Sequence, residues 1–279
     1  MRLGIFAKTF PRPTVEEVFD AVRAAGFQCV QFNFACAGLG TLPDHFNFDA
    51  ICRVQDAVET RGIELAAVSG TFNMIHPDVR RREGGQERLI NLIAVAQDLR
   101  IPLVTLCTGT RDHHDMWRRH PDNDSPSAWR DLVDSINWVL GETETSRVAL
   151  GIEPEVSNVI DSAVKCRRLL DEIGSPRLKV VMDGANLFHQ GELPRMREVL
   201  DEAFELLGPD IVLAHAKDLA RDGKAGDRAA GTGLLDYDYY LALLRRAGYN
   251  GPLVLHGLRE DEVAGSVQFL NAKLAGART

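Results

Sequence analysis

Eight apolar segments, each followed by a stretch of helical periodicity, predict an α/β fold: a closed (β/α)8 TIM barrel folded as a single domain over residues 1–279. Two further observations agree. The last four apolar segments each end in a side chain able to bind a metal, at positions 153, 183, 215 and 256. The long polar loops all follow the C-terminal ends of strands, where barrels of this kind build their sites. Right-handed crossovers between parallel strands leave a barrel or a doubly wound sheet, and eight near-equal units favour the barrel. No composition break or Ser/Pro linker marks a second domain.

The elements follow in order. Leu3–Ala7 is the first strand, and Thr14, with Glu17 three residues on, caps a helix whose apolar face is Val15, Val18, Phe19 and Val22 and which Gly26 ends. Gln28–Asn33 is the second strand, and the helix Phe48–Arg61 stops at Gly62. Ile63–Val68 is the third strand, followed by the loop Ser69–Asp78 and a helix over Gln86–Leu99. Leu103–Cys107 is the fourth strand, opening into a long loop that runs to Asp124, and Ser125-Pro126 is a cap and first-turn proline for the fourth helix. The fifth strand is the run Val148-Ala-Leu-Gly-Ile152, with a helix over Val159–Ile173. Leu178–Met182, Ile211–Ala214 and Pro252–Leu255 are the last three strands. Their helices span Pro194–Leu207, Tyr237–Ala247 and Glu260–Ala275.

The chain is 45% hydrophobic, enough for a large core, and its net charge of −8 without a long basic run argues against nucleic acid as a partner. Five scattered cysteines without CxxC spacing predict free thiols and a reducing, cytoplasmic setting. The N-terminus lacks an adequate signal-peptide core, and no stretch approaches the ~20 apolar residues of a membrane span.

The chemistry sits at the strand ends. A carboxylate at the end of a buried strand costs several kcal/mol unless something pairs with it. A single Glu, Asp or His there is usually bonded to a neighbouring loop. Four at matching positions, Glu153, Asp183, His215 and His256, point instead to convergence on one divalent cation, because neighbouring strands of a barrel end on one arc. Mixed nitrogen and oxygen donors suit manganese, cobalt, iron or zinc and disfavour calcium.

The pieces Ile152-Glu-Pro-Glu155, Met182-Asp183 and Ala214-His-Ala-Lys-Asp218, with Gly231-Thr-Gly-Leu-Leu-Asp236 in support, resemble those of the xylose-isomerase-like TIM barrels. That family includes sugar and sugar-phosphate isomerases and epimerases, keto-inositol dehydratases and metal-dependent apurinic endonucleases. The resemblance covers nearly the whole chain. It implies a Glu, Asp, His, Glu ligand set, matched by Glu153, Asp183 and His215, with His256 standing where the epimerase branch has its second Glu. Asn186 stands where several relatives carry His. The endonuclease branch needs further His ligands where this chain has Val68-Ser69 and Cys107-Thr108.

The resemblance therefore implies a metal-dependent sugar or sugar-phosphate isomerase or epimerase acting on a ketose by proton abstraction beside a carbonyl. The expected cofactor is one divalent ion, manganese first, with cobalt, zinc, iron or magnesium as alternatives. Glu153 is the expected base, with His256 or Glu155 as partner acid. A dehydratase or lyase on a keto-sugar or keto-cyclitol is the second reading, and a non-catalytic sugar-binding barrel the third. Arg221, Lys217, Asn186, His189 and Arg111 are the expected substrate contacts, Arg111 as part of an anion or sugar cradle over Thr108–Asp112. Trp117 and Phe72 are candidates to stack on a sugar ring or to pack in a lid. The expected partner is a small carbohydrate, with no nucleic acid or membrane, in a possible homo-oligomer.

Overall fold

A computed structural model describes residues 1–276. Eight parallel strands close a barrel: β1 (Arg2–Phe6), β2 (Cys29–Phe32), β3 (Glu64–Ser69), β4 (Leu103–Leu106), β5 (Ala149–Ile152), β6 (Leu178–Asp183), β7 (Ile211–Asp218) and, after a two-residue strand β8 (Arg228–Ala229), β9 (Pro252–Leu255). Each barrel strand pairs with its neighbour, and β9 pairs with β1 to complete the ring. Strand β8 lies outside the ring, antiparallel to the end of β7, with Lys217 opposite Ala229. The surrounding helices are α1 (Val15–Ala24), α2 (Phe48–Arg61), α3 (Val79–Asp98), α4 (Pro126–Glu142), α5 (Ala163–Ile173), α6 (Met196–Leu207), α7 (Tyr237–Arg246) and α8 (Val263–Gly276).

The hydrophobic core is split as a barrel requires. A large cluster fills the layer between strands and helices, from Ile5 and Val18 to Leu255 and Leu270. A small one, including Cys29, Ala67, Leu103, Val181 and Leu213, plugs the barrel itself. The interior is tight: a Cβ at Gly151 would lie 2.7 Å from Val181 Cγ2.

The expected caps form. Thr14 accepts from the Glu17 amide, and Ser125 accepts from the Ala128 amide ahead of a helix that begins with Pro126. Three boundaries differ from the sequence expectation by about four residues or more. Strand β7 runs on to Asp218, because β8 supplies hydrogen-bond partners for Lys217 and Asp218. Helix α5 starts at Ala163, capped by Ser162, because residues 155–160 turn back on themselves through the Glu155 amide on the Ile160 carbonyl. Helix α3 starts at Val79, capped by Asp78, and runs through Gly84 and Gly85. A helical glycine costs about 1 kcal/mol relative to alanine, but Gly85 has a packing reason: a Cβ there would sit 2.2 Å from the Phe72 ring.

Candidate active site

The C-terminal ends of β5, β6 and β7 bring Glu153, Asp183 and His215 together. Register does part of this, since Asp183 and His215 are direct partners across β6 and β7. One ligand atom from each of the three lies within 4.8 Å of the others. His215 Nδ1 is 3.5 Å from both Glu153 Oε1 and Asp183 Oδ2. Asp183 and His215 are fully buried.

The imidazole of His215 is held from behind. Its Nε2 lies 2.8 Å from Gln31 Oε1, and the Gln31 amide in turn reaches Ser69 Oγ and Thr105 Oγ1, each at 3.3 Å. With Nε2 donating to that carbonyl oxygen, Nδ1 turns its lone pair toward two carboxylates. His215 Nδ1 is buried without a hydrogen-bond partner among the described residues, and Asp183 Oδ2 is buried with only an ion-pair contact. Burial disfavours a charged His215, yet Glu153 and Asp183 outweigh it and push the imidazole up to about 9. The site therefore calls for positive charge at Nδ1. A divalent first-row cation fits this set of two carboxylates and one imidazole.

Lys217 supplies part of that charge. Its Nζ lies 3.0 Å from Asp183 Oδ2. Burial works against the ammonium, but Asp183, Glu153 and Glu155 hold its pKa above the ordinary lysine value. Burial likewise opposes ionisation of Asp183, and Lys217 and His215 override it and keep the carboxyl below the usual range. Glu155 is buried, and its carboxyl is pushed up to about 7, chiefly by that burial and then by the neighbouring Glu153 carboxylate. Asn186 donates to Glu153 Oε1 at 2.6 Å and accepts from the Gly226 amide.

His256 does not join the three-residue group among the described residues. Its ring lies flat between those of Phe6 and His215, with centroid separations of 4.7 Å on both sides. Burial, then His215 and Lys217, drive its pKa well below the ordinary histidine value, so it is a neutral imidazole.

Above these groups opens a cavity of about 580 Å3, lined by Glu153, Glu155, Lys217 and His256 together with Gln31, Asn158 and Trp117. That volume suits a small-molecule site. Lys8 from the end of β1 also reaches it.

Three expected substrate contacts lie elsewhere. Arg111 turns away: Nη2 pairs with Asp131 at 2.6 Å and Nη1 donates to the Ile75 carbonyl. In the expected cradle around it, asparagine side chains already take three of the backbone amides. Asn158 Oδ1 accepts from Gly109, Asn73 Oδ1 from Thr110 and Asn123 Oδ1 from Arg111. His189 lines a separate small pocket beside α6, and Arg221 is exposed outside the cavity wall. Phe72 packs over Gly85 rather than into the cavity. Sequence reasoning overlooked Gln31 and Asn158. Gln31 did carry a signal, as the one amide inside the apolar strand Cys29-Val-Gln-Phe32.

The model of the xylose isomerase-like TIM barrel family matches residues 19–273. The chain belongs to this family. As a xylose isomerase-like TIM barrel, it is similar in fold to several solved sugar epimerases. The apo 3-keto-D-glucoside 4-epimerase from E. coli is 16% identical, covers 98% of this chain and 99% of its own, and has a TM-score of 0.75. A D-tagatose 3-epimerase-like protein is 14% identical over 99% of this chain and 97% of its own, with a TM-score of 0.76. D-psicose 3-epimerase from Clostridium cellulolyticum H10, solved with D-tagatose, is 18% identical over 91% of this chain and 84% of its own, with a TM-score of 0.70. No curated protein matches the sequence. Among the described residues of this xylose isomerase-like barrel, no helix is long and apolar enough to cross a membrane.

Proposed function

We propose that the protein is a divalent-metal-dependent sugar isomerase or epimerase that removes a proton beside the carbonyl of a ketose. The observation that carries this reading is the convergence of Glu153, Asp183 and His215, with the buried Nδ1 of His215 left without a hydrogen-bond partner among the described residues, at the wall of a cavity that Glu153 and Glu155 share. Membership of the family and likeness in fold to solved sugar epimerases support the same class.

Glu153, Asp183 and His215 would hold the ion, manganese being the favoured one for this donor set. When bound, such an ion is a Lewis acid that polarises the substrate carbonyl and acidifies the neighbouring C–H. The protein's own groups then decide the outcome. Asn186 fixes Oε1 of Glu153, and Oε2, which has no hydrogen bond among the described residues, takes the proton. Lys217 offsets the charge of the carboxylates and the electron density that builds on the substrate oxygen. Glu155, at the cavity wall with its carboxyl pushed up to about 7, returns a proton. Return to the opposite face of the same carbon gives an epimer, and return to the adjacent carbon gives an isomer.

A second reading, elimination of a β-oxygen from a keto-sugar or keto-cyclitol, draws on one observation. Strand β9 ends in a neutral, stacked imidazole where a two-glutamate epimerase would have its second carboxylate. A cytoplasmic setting and self-association belong to the proposal on the chemistry of the sequence alone.

The test is solvent-deuterium exchange. Incubated in D2O with a panel of ketoses, the wild type incorporates deuterium beside the carbonyl of its substrate, and Glu153→Gln does not. Exchange at the wild-type rate in the variant would remove Glu153 as the base.

A further inference from the structure

A second opening adjoins the cavity. It is a groove of about 570 Å3 along α3, lined by Arg80, Arg81, Gly84 and Arg88 of the helix and by His76 of the preceding loop. Thr71 and Met116 are walls of both groove and cavity, so the two adjoin across these side chains. No carboxylate lines the groove, although the chain as a whole carries a net charge of −8. Two of the guanidiniums have acidic neighbours: Arg88 pairs with Asp44 at 2.9 Å, and Arg81 lies 3.9 Å from Asp78. Arg80 is exposed and, among the described residues, its guanidinium has no carboxylate or hydrogen-bond partner.

The two helical glycines separate packing from vacancy. Gly85 is demanded by Phe72, but Gly84 is not demanded by packing, since a Cβ there would meet only Arg88 Nη1, at 3.7 Å. Positions 80, 84 and 88 lie on one stripe of the helix. A residue without a side chain at the middle of that stripe, where alanine would stabilise the helix, leaves the floor open between two arginines. Guanidinium groups bind phosphate and carboxylate oxygens in a fork that neutral sugars do not engage as strongly.

We propose that this groove receives the anionic group of the substrate, a phosphate ester or a carboxylate, while its carbonyl end occupies the cavity beside Glu153. The inference rests on the isomerase or epimerase reading and narrows its substrate class to acidic keto-sugars.

Calorimetric titration of the intact protein tests it, with D-fructose, D-fructose 6-phosphate, 5-keto-D-gluconate and inorganic phosphate as probes. One anionic sugar should bind at least about tenfold more tightly than D-fructose, as a charge-assisted contact implies, and which one does so distinguishes phosphate from carboxylate. Arg80→Ala and Gly84→Leu should both erase that preference while leaving D-fructose binding unchanged. Arg23→Ala, in α1 and lining neither the cavity nor the groove, should keep it. Gly84→Leu should retain or raise the thermal midpoint, so lost binding would not be lost folding. Equal binding of charged and neutral sugars by the wild type, or a preference that survives both groove variants, would overturn the proposal. The parent reading fails separately: deuterium exchange into a free ketose without anionic preference sinks the groove alone. Arginine-dependent binding of inorganic phosphate without exchange into any ketose keeps the groove and sinks the isomerase.

Discussion

The imidazole of His256 lies face to face on that of His215, with ring centroids 4.7 Å apart and planes 16° from parallel. Phe6 covers its other face at 4.7 Å. A charged imidazole in this stack would face the Lys217 ammonium and the positively disposed His215, so burial and repulsion together keep His256 neutral. Its place in the sequence suggested a fourth ligand, and in the fold it is a neutral ring stacked on His215, outside the group of Glu153, Asp183 and His215.

Substitution by phenylalanine separates packing from nitrogen chemistry. His256→Phe should fold as the wild type, because an aromatic pair of this kind contributes about 0.5–1.5 kcal/mol through its faces. Metal content, measured by mass spectrometry on protein purified without chelator, should stay near that of the wild type, whereas Asp183→Ala should lose the ion. Metal lost from His256→Phe as well would make His256 a ligand after all.

Gln31 aims His215, the third of the proposed ligands, from across the barrel. Its carbonyl oxygen takes the Nε2 proton of His215 and leaves Nδ1 facing Glu153 and Asp183. Gln31→Leu should weaken metal binding by about 10–100-fold, the usual effect of removing the partner that orients a ligating histidine. Competition with a chromogenic chelator reads this directly, and unchanged affinity would show that the barrel alone orients the ring.

The paired glycines of α3 should respond in opposite directions. Gly85→Ala forces a methyl against Phe72 and should destabilise by about 1–3 kcal/mol. Gly84→Ala meets only the end of Arg88 and should stabilise by up to about 1 kcal/mol. Urea denaturation of the two variants measures both signs, and a loss at Gly84 equal to that at Gly85 would contradict the packing described.

Asp112 gives the loop after β4 a pH dependence of known sign. Its carboxylate accepts from the His114 amide at 2.8 Å, the Asp115 amide at 2.9 Å and Arg118 Nε at 2.6 Å. These hydrogen bonds, led by the His114 amide, hold its pKa below the ordinary aspartate value. A depressed folded-state pKa contributes stability that is fully present above the unfolded value of about 4 and is lost as pH falls toward the folded value. The melting-temperature gap between wild type and Asp112→Asn should therefore be constant above about pH 5 and narrow below about pH 4. A gap that widens on acidification would reverse the assignment.

Much of this was legible in the chain alone. Apolar runs of strand length, helices with Thr14 and Ser125 caps, and metal-capable residues at repeated strand ends are local properties. They are written in residue type and spacing, and they sufficed for the barrel and for Glu153, Asp183 and His215 as neighbours. What a side chain meets is non-local. Closure of the ring set Gln31 of β2 against His215 of β7, and the register of β6 on β7 put Asp183 beside His215. Asp131 of α4 drew Arg111 out of the expected cradle, and the faces of Phe6 and His215 claimed His256. The extension of α3 through Gly84 and Gly85 followed the same logic, because contact with Phe72 outweighed the helix-breaking tendency that spacing alone could read. Sequence determined which groups stand at the mouth of the barrel. Strand register and ring closure decided which of them touch, since those depend on residues far apart in the chain.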